Sequence, residues 1–221
     1  MTSINAHFTF HYSQPAEYKF SHDSVFMARR VYEDICLLNP TLKTALDLCA
    51  GCGIIGLDLL YHFKPKPLNL ERFDFIDIQT EYQTHFEKNC FSLKNEFSEL
   101  KTKLNFLTLN YETALNDKKF KDAYDLIVCN PPYFLPSQGK LSNNAFKNRC
   151  HFFLDSNLKY LIYFIEYSLA QNGSAYLIFH DLRDHKIDLI GEIQTLISPK
   201  LYLQILPSIR KSQFIKISKL V

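Results

Sequence analysis

Asn130-Pro131-Pro132-Tyr133 combines residue types that can grip a flat ring bearing an amino group. The Asn side-chain oxygen and the Pro131 carbonyl can each accept one amine proton. The Tyr133 ring can stack on the ring face. These residues follow Asp125-Leu126-Ile127-Val128-Cys129, an apolar run that reads as a buried strand. Two consecutive prolines end the strand ladder and impose a stiff, extended turn, which holds the Asn at the strand tip in one place. Asn-Pro is also a common turn signal, so the same residues can be an ordinary turn. A second motif upstream favours the chemical reading.

That motif is Leu46-Asp47-Leu48-Cys49-Ala50-Gly51-Cys52-Gly53-Ile54-Ile55-Gly56. A short apolar strand, a turn that Gly51 and Gly53 allow to approach a ligand closely, and a helix start near Ile54 to Tyr61 make a nucleotide-binding βα unit. The glycines satisfy the dinucleotide pattern, and Asp77 lies about 20 residues beyond, as that pattern expects. Asp47 argues the other way: a carboxylate just before the glycines repels a pyrophosphate and attracts a cationic amino-acid end. S-adenosyl-L-methionine carries an ammonium and a sulfonium and no phosphate, so Asp47 favours that cofactor over a dinucleotide.

These residues need strand ends to hold them. Arg72 to Ile78 alternates aromatic and β-branched residues as a strand does, with Asp77 near its end, where a carboxylate can take both ribose hydroxyls. Asn110 ends the next expected strand, Leu104 to Leu109, either near the cofactor adenine or as a turn residue. Helices are expected at Thr80 to Phe97, Leu158 to Ala170 and Ile187 to Ile197, a short strand at Ala175 to Phe179, and a closing antiparallel pair at Tyr202 to Leu206 and Gln213 to Ile217. Alternating strands and helices imply a mostly parallel sheet between helix layers, with ligands beyond the strand carboxyl ends. Asp47, Asp77, Asn110 and Asn130 all fall at such ends.

Together the motifs resemble class I S-adenosylmethionine-dependent methyltransferases with an Asn-Pro-Pro-Tyr catalytic loop. That group methylates amino groups conjugated to a π system: adenine N6 in DNA or RNA, cytosine N4, or the glutamine side-chain amide of release factors. The resemblance covers roughly residues 18 to 180. Cys49 stands where many members have glycine. Tyr18-Lys19-Phe20-Ser21-His22-Asp23-Ser24 is similar to the Tyr-Arg-Phe-Ser-x-Asp-Ser/Ala segment of the bacterial family that methylates adenine N6 in a valine tRNA. Asn148 to Asp155 looks like the Arg-rich stretch after that family's loop. The resemblance implies a Rossmann-like α/β fold, seven strands in a mostly parallel sheet with an antiparallel C-terminal pair. It further implies one domain over residues 1–221, with residues 1–40 covering substrate and cofactor. Phe20 and Asp23 would line the cofactor pocket with Asp47, Cys49, Gly51, Gly53, Asp77, Ile78 and Asn110. The alternative for Phe20 is a core aromatic, and for Asp23 a helix cap.

Composition narrows the remaining classes. The chain has 221 residues, enough for one α/β domain with a full core. No apolar run reaches membrane-spanning length, and Met1 to Phe10 lacks a secretion signal, so no membrane partner is expected. Six cysteines form no zinc pattern beyond Cys49-x-x-Cys52, and they suit a reducing cytoplasm. No metal is expected, His180 to His185 included, and Asn172-Gly173-Ser174 reads as a turn. Leu135 to Leu154 and Ile193 to Val221 contain no acid. Lys140, Lys147 and Arg149 on the catalytic-loop flank are therefore expected to bind nucleic acid phosphates, with Lys200, Arg210, Lys211, Lys216 and Lys219 adding a second basic stretch. Phe134 to Cys150 is long for a loop and reads as a mobile substrate lid.

The expected function is N6-methylation of adenine in RNA, with tRNA the foremost substrate, by a cytoplasmic monomer. Asn130, Pro131, Pro132 and Tyr133 would be the catalytic residues, acting on a flipped or single-stranded base. Protein-glutamine methylation needs the same loop chemistry and is the nearest alternative. A non-catalytic RNA-binding module on the same fold is another, and a dinucleotide oxidoreductase is the least favoured.

Overall fold

The computed structural model describes residues 11–220. Residues 1–10 of the expected N-terminal covering segment lie outside that range. In chain order the elements are α1 (His22–Leu38), β1 (Thr44–Leu48), α2 (Ile54–His62), β2 (Arg72–Asp77), α3 (Tyr82–Glu96), β3 (Lys103–Thr108), α4 (Tyr111–Ala114), β4 (Tyr124–Cys129), α5 (Ala145–His151), α6 (Leu158–Ser168), β5 (Leu169–His180), α7 (Leu189–Leu196), β6 (Leu201–Ile209) and β7 (Ser212–Lys219). The strands form one seven-stranded sheet in the order β3-β2-β1-β4-β5-β7-β6. All neighbours pair in parallel except β5 with β7 and β6 with β7, so β7 alone runs against the rest. This is the expected sheet.

Period-two alternation divides the core between the two faces. Ala45, Phe73, Phe75, Leu126, Val128, Tyr176 and Ile178 pack with buried residues of α1, α2 and α3. Leu46, Leu48, Ile127, Cys129, Leu177 and Phe179 pack with α4, α6 and α7. Near-continuous apolar strands are what a sheet covered on both faces requires. The chain runs outward from β1 to β3 and returns to β4 beside β1, leaving a topological switch point there.

Three local expectations change. The strand expected at Ala175 to Phe179 is the last part of the longer β5. The turn at Asn172-Gly173-Ser174 falls inside β5 rather than between elements: Asn172 adopts φ 63° and the register against β4 shifts between Tyr124 and Leu126. The Phe134 to Cys150 stretch is folded and holds α5. Its Asn148 is buried, accepts from Ser142 N and Oγ at 2.9 Å each, and donates to Ser142 O at 2.8 Å. Its ends are joined by Phe134 N to His151 O at 3.0 Å and Phe153 N to Phe134 O at 2.9 Å.

Gly56 marks the tightest helix–sheet approach. A Cβ there would lie 2.6 Å from the Phe75 ring and 2.8 Å from the Phe73 ring, both inside the core. Gly56→Ala is therefore expected to destabilise the fold by about 1–3 kcal/mol through overpacking, measured by urea unfolding. An unchanged midpoint would contradict this account of the α2–sheet contact.

Candidate functional site

The carboxyl ends of β1, β2 and β4 open into one cavity of about 610 Å³. That volume lies within the range of small-molecule sites. At its floor the turn after β1 carries positive φ at Cys49 (60°), Gly51 (53°) and Gly53 (78°). The Gly53 position has no room for a Cβ, which would fall 2.7 Å from the Phe86 ring. Two carboxylates consume the turn's amides. Asp77 accepts from Gly51 N at 2.8 Å and from Gln79 N at 2.9 Å. Asp47 accepts from Gly56 N at 2.9 Å. In a dinucleotide site such N–H groups would face a pyrophosphate; here two acids already hold them. Burial pushes the Asp77 carboxyl up to about 6, against the lowering effect of its backbone hydrogen bonds.

Beyond the end of β4, Asn130, Pro131, Pro132 and Tyr133 all line the same cavity. The Asn130 amide donates to Ser24 Oγ at 3.2 Å, which orients its oxygen the other way. The Tyr133 ring lies 5.8 Å from that of His180, with 33° between their planes. Burial, and then the nearby Asp23 charge, raise the Tyr133 phenol, so it stays neutral. Burial also pushes the Cys52 thiol up to about 12 and raises Cys150, so these two cavity cysteines are thiols rather than thiolate nucleophiles.

The structure brings twelve of the sequence-predicted residues to the cavity: Phe20, Asp23, Cys49, Gly51, Asp77, Ile78, Asn110, Asn130, Pro131, Pro132, Tyr133 and Arg149. Asp23 does not cap α1; it accepts from Ser212 Oγ at 2.6 Å and pairs with Arg210 at 3.5 Å. Asn110 caps α4 by accepting from Glu112 N and ties its amide to Asp155 O at 2.7 Å.

Four of the expected residues do not line the cavity. Asp47 is fully buried and is not a cavity residue: it sits on the α2 face of β1, holding Gly56 N, and burial raises its carboxyl well above the usual range. Gly53 shapes the turn without lining the cavity. Lys140 and Lys147 are exposed and stand away from it. Arg149 reaches the cavity with its guanidinium bound to Asp155, Nε at 2.8 Å and Nη2 at 3.4 Å. The C-terminal basic stretch is also partly neutralised. Lys216 is buried against Asp34 at 2.8 Å, and Lys219 pairs with Asp122 at 2.6 Å. No metal-ligating cluster and no helix able to cross a membrane occurs among the described residues.

Sequence reasoning missed several wall residues. Ser24, the Asn130 partner, lies inside the segment Tyr18 to Ser24, yet nothing in one sequence gives it that role. Gln79 is buried, donates to Cys150 Sγ at 3.5 Å and leaves its Oε1 without a partner among the described residues. His180 reaches the cavity from β5, and Arg210 and Lys211, expected only as part of a basic stretch, reach it from the β6–β7 turn. The N-terminal strap is fastened by Tyr12 OH to Asp58 and by Ser13 N to Asn89 Oδ1 at 2.6 Å, while Asn89 Nδ2 also donates to Cys52 O in the glycine turn at 3.1 Å.

No protein-family model matches the chain. It is similar to the release factor glutamine methyltransferase of Borreliella burgdorferi, 31% identical over 105 residues, covering 48% of this chain and 31% of that protein. It is also similar to the tRNA1(Val) (adenine(37)-N6)-methyltransferase of Cytophaga hutchinsonii, 26% identical over 159 residues, covering 68% of this chain and 60% of that protein. The chain thus spans less than two thirds of each relative. The solved structure of the plantazolicin methyltransferase, in complex with a monoazolic desmethylPZN analogue and S-adenosylhomocysteine, aligns with a TM-score of 0.56 at 12% identity, over 90% of this chain and 84% of that one. The fold is the class I methyltransferase fold.

The raised Asp77 carboxyl predicts a pH effect with a definite sign. Its folded value near 6 exceeds the ordinary 3.8, so folding favours the protonated form and Asp77 costs stability as pH rises through that window. Asp77→Asn removes the titration. The stability of that variant relative to the parent should increase between about pH 4 and about pH 6 and then level off, read from urea unfolding at a series of pH values. A pH-independent difference would contradict the half-buried, protonatable Asp77.

Proposed function

We propose that this chain is an S-adenosylmethionine-dependent methyltransferase that modifies adenine N6 in RNA, with tRNA as the acceptor. The observation that carries this reading is the anchored Asn130, held by Ser24 on the wall of the same cavity that contains Asp77 and the glycine turn. The residues present suit the cofactor. The turn's amides are already held by carboxylates, which disfavours phosphate. Asp77 offers a carboxylate for ribose hydroxyls, Ile78 forms an apolar lip, and the buried Gln79 Oε1 awaits a donor. When bound, S-adenosylmethionine supplies an electrophilic methyl group on a sulfonium. One domain over residues 1–221, with the N-terminal stretch to residue 40 as its cover, completes the proposal; Tyr18 and Phe20 on the cavity wall support it.

An aromatic amine is a weak nucleophile because its lone pair is delocalised into the ring. Asn130 Oδ1 and the Pro131 carbonyl would accept hydrogen bonds from its two N–H groups and turn the lone pair out of conjugation, toward the cofactor. Tyr133, with His180 beside it, offers a flat wall for the base. The chain's main contribution is alignment. The nitrogen becomes acidic once methylated and then sheds its proton to solvent, so no base is needed.

Glutamine methylation is the second reading, favoured by the match to the Borreliella enzyme. It uses Asn130 identically but needs no aromatic wall. The tRNA methyltransferase of Cytophaga aligns over more of this chain, and with the Tyr133–His180 pair it supports the base reading. A purely RNA-binding role would not require the preserved Asn130 and Asp77 constellation.

Two substitutions separate the roles. Asn130→Ala is expected to lower kcat by about 100-fold or more with cofactor affinity nearly unchanged, measured by methyl transfer and calorimetry. Asp77→Ala is expected to weaken cofactor binding first. Full turnover by the Asn130 variant, or tight cofactor binding by the Asp77 variant, would overturn the respective assignment.

A further inference from the structure

We infer that the β6–β7 turn, Arg210-Lys211, is a phosphate clamp for the polynucleotide strand carrying the target base; this rests on the base-methylating reading above. The sheet order puts the turn on the acceptor side. Asp77 ends β2, Asn130 follows β4, and the turn leads into β7, two strands beyond β4 and four from β2. At about 4.8 Å per strand the turn stands roughly 19 Å from the ribose end. Both residues nevertheless line the cavity.

The turn is built for more than closure. Ile209 pairs with Ser212, leaving two connecting residues, and Arg210 takes φ 55° where hairpins of this kind favour glycine. An arginine kept in a left-handed conformation at a cavity mouth points to use of its side chain. Its Nη1 lies 3.2 Å from His22 Nδ1 and 3.5 Å from Asp23 Oδ1, which fixes the guanidinium while leaving it half-exposed. Asp181 N donates to Lys211 O at 3.1 Å, fastening the turn to the end of β5. Among the described residues no carboxylate pairs with the exposed Lys211 ammonium. One oriented guanidinium and one free ammonium, side by side, suit an anion that can take both. A base seated at Asn130 brings phosphates on either side of its sugar, whereas a glutamine side chain brings no anion of its own.

The test compares the parent with Arg210→Gly, which relieves the left-handed backbone, and Lys211→Gln, which removes a side chain without a folded partner. Binding of bulk tRNA is followed by fluorescence anisotropy across a salt series, with S-adenosylmethionine affinity measured by calorimetry on the same samples. Each variant should bind tRNA about five- to tenfold more weakly and lose about one from the slope of log K against log salt, with cofactor affinity within about twofold of the parent. Unchanged tRNA affinity and slope in both variants, in a parent that methylates RNA, would overturn the clamp alone. Cofactor affinity falling in step would also overturn it by assigning Arg210 to the cofactor. A parent that neither binds nor methylates RNA would overturn the clamp together with the base-methylating reading.

Discussion

Leu48 lies opposite Cys129 in the parallel ladder of β1 and β4, so the two chains leave the sheet at the same level and side by side. One continues into the glycine turn, the other into Asn130 and the two prolines. The arrangement of the cavity follows from that registration, because it fixes the glycine turn and the Asn130 amide on a common rim. The turn is in turn set by its carboxylates: Asp77 holds Gly51 N and Asp47 holds Gly56 N. Asp47 is buried and Asp77 half-buried at the cavity wall, and both carboxyls are raised above their usual range. At Asp77, which faces the cavity, a ligand with hydroxyl donors offsets that cost and a pyrophosphate adds to it.

The cavity then divides along the strand order. Asp77, Ile78 and Gln79 belong to the β2 side, Asn130 to the middle, and His180, Arg210, Lys211 and Ser212 to the β5–β7 side. The N-terminal strap and α1 join both halves. Asn89 holds the strap to the glycine turn, Ser24 holds Asn130, and Asp23 holds the β6–β7 turn through Ser212. Donor and acceptor geometry thus depends on one packed unit rather than on independent loops, which is what a reaction driven by alignment requires.

The strand ends were legible because apolar runs and their punctuation are local signals. Asp77, Asn110 and Asn130 could be placed at the correct edge from sequence. Asp47 could be placed at the edge but not aimed. Alternation on β1 explains its true direction: Leu46 and Leu48 face α6, so Asp47 shares the α2 face with Ala45 and meets Gly56 N. Lys216 was misread for a related reason. It stands opposite Tyr176 in the ladder and pairs with Asp34, 182 residues away, a contact no local pattern reveals. The fold of Phe134 to Cys150 rests on the buried Asn148–Ser142 bonds and on closure through Phe134, and its polar composition hid both. Ser24, His180 and the β6–β7 turn reach the site only through tertiary packing.

The central claim is that the Asn130 rim transfers a methyl group to a conjugated amine of RNA. Its most direct test is incubation of the protein with methyl-labelled S-adenosylmethionine and bulk tRNA, rRNA, DNA and protein from cells lacking this chain, followed by digestion and chromatography. The account predicts label in tRNA, eluting as N6-methyladenosine. Label confined to protease-sensitive material would contradict it and assign the rim to a protein amide.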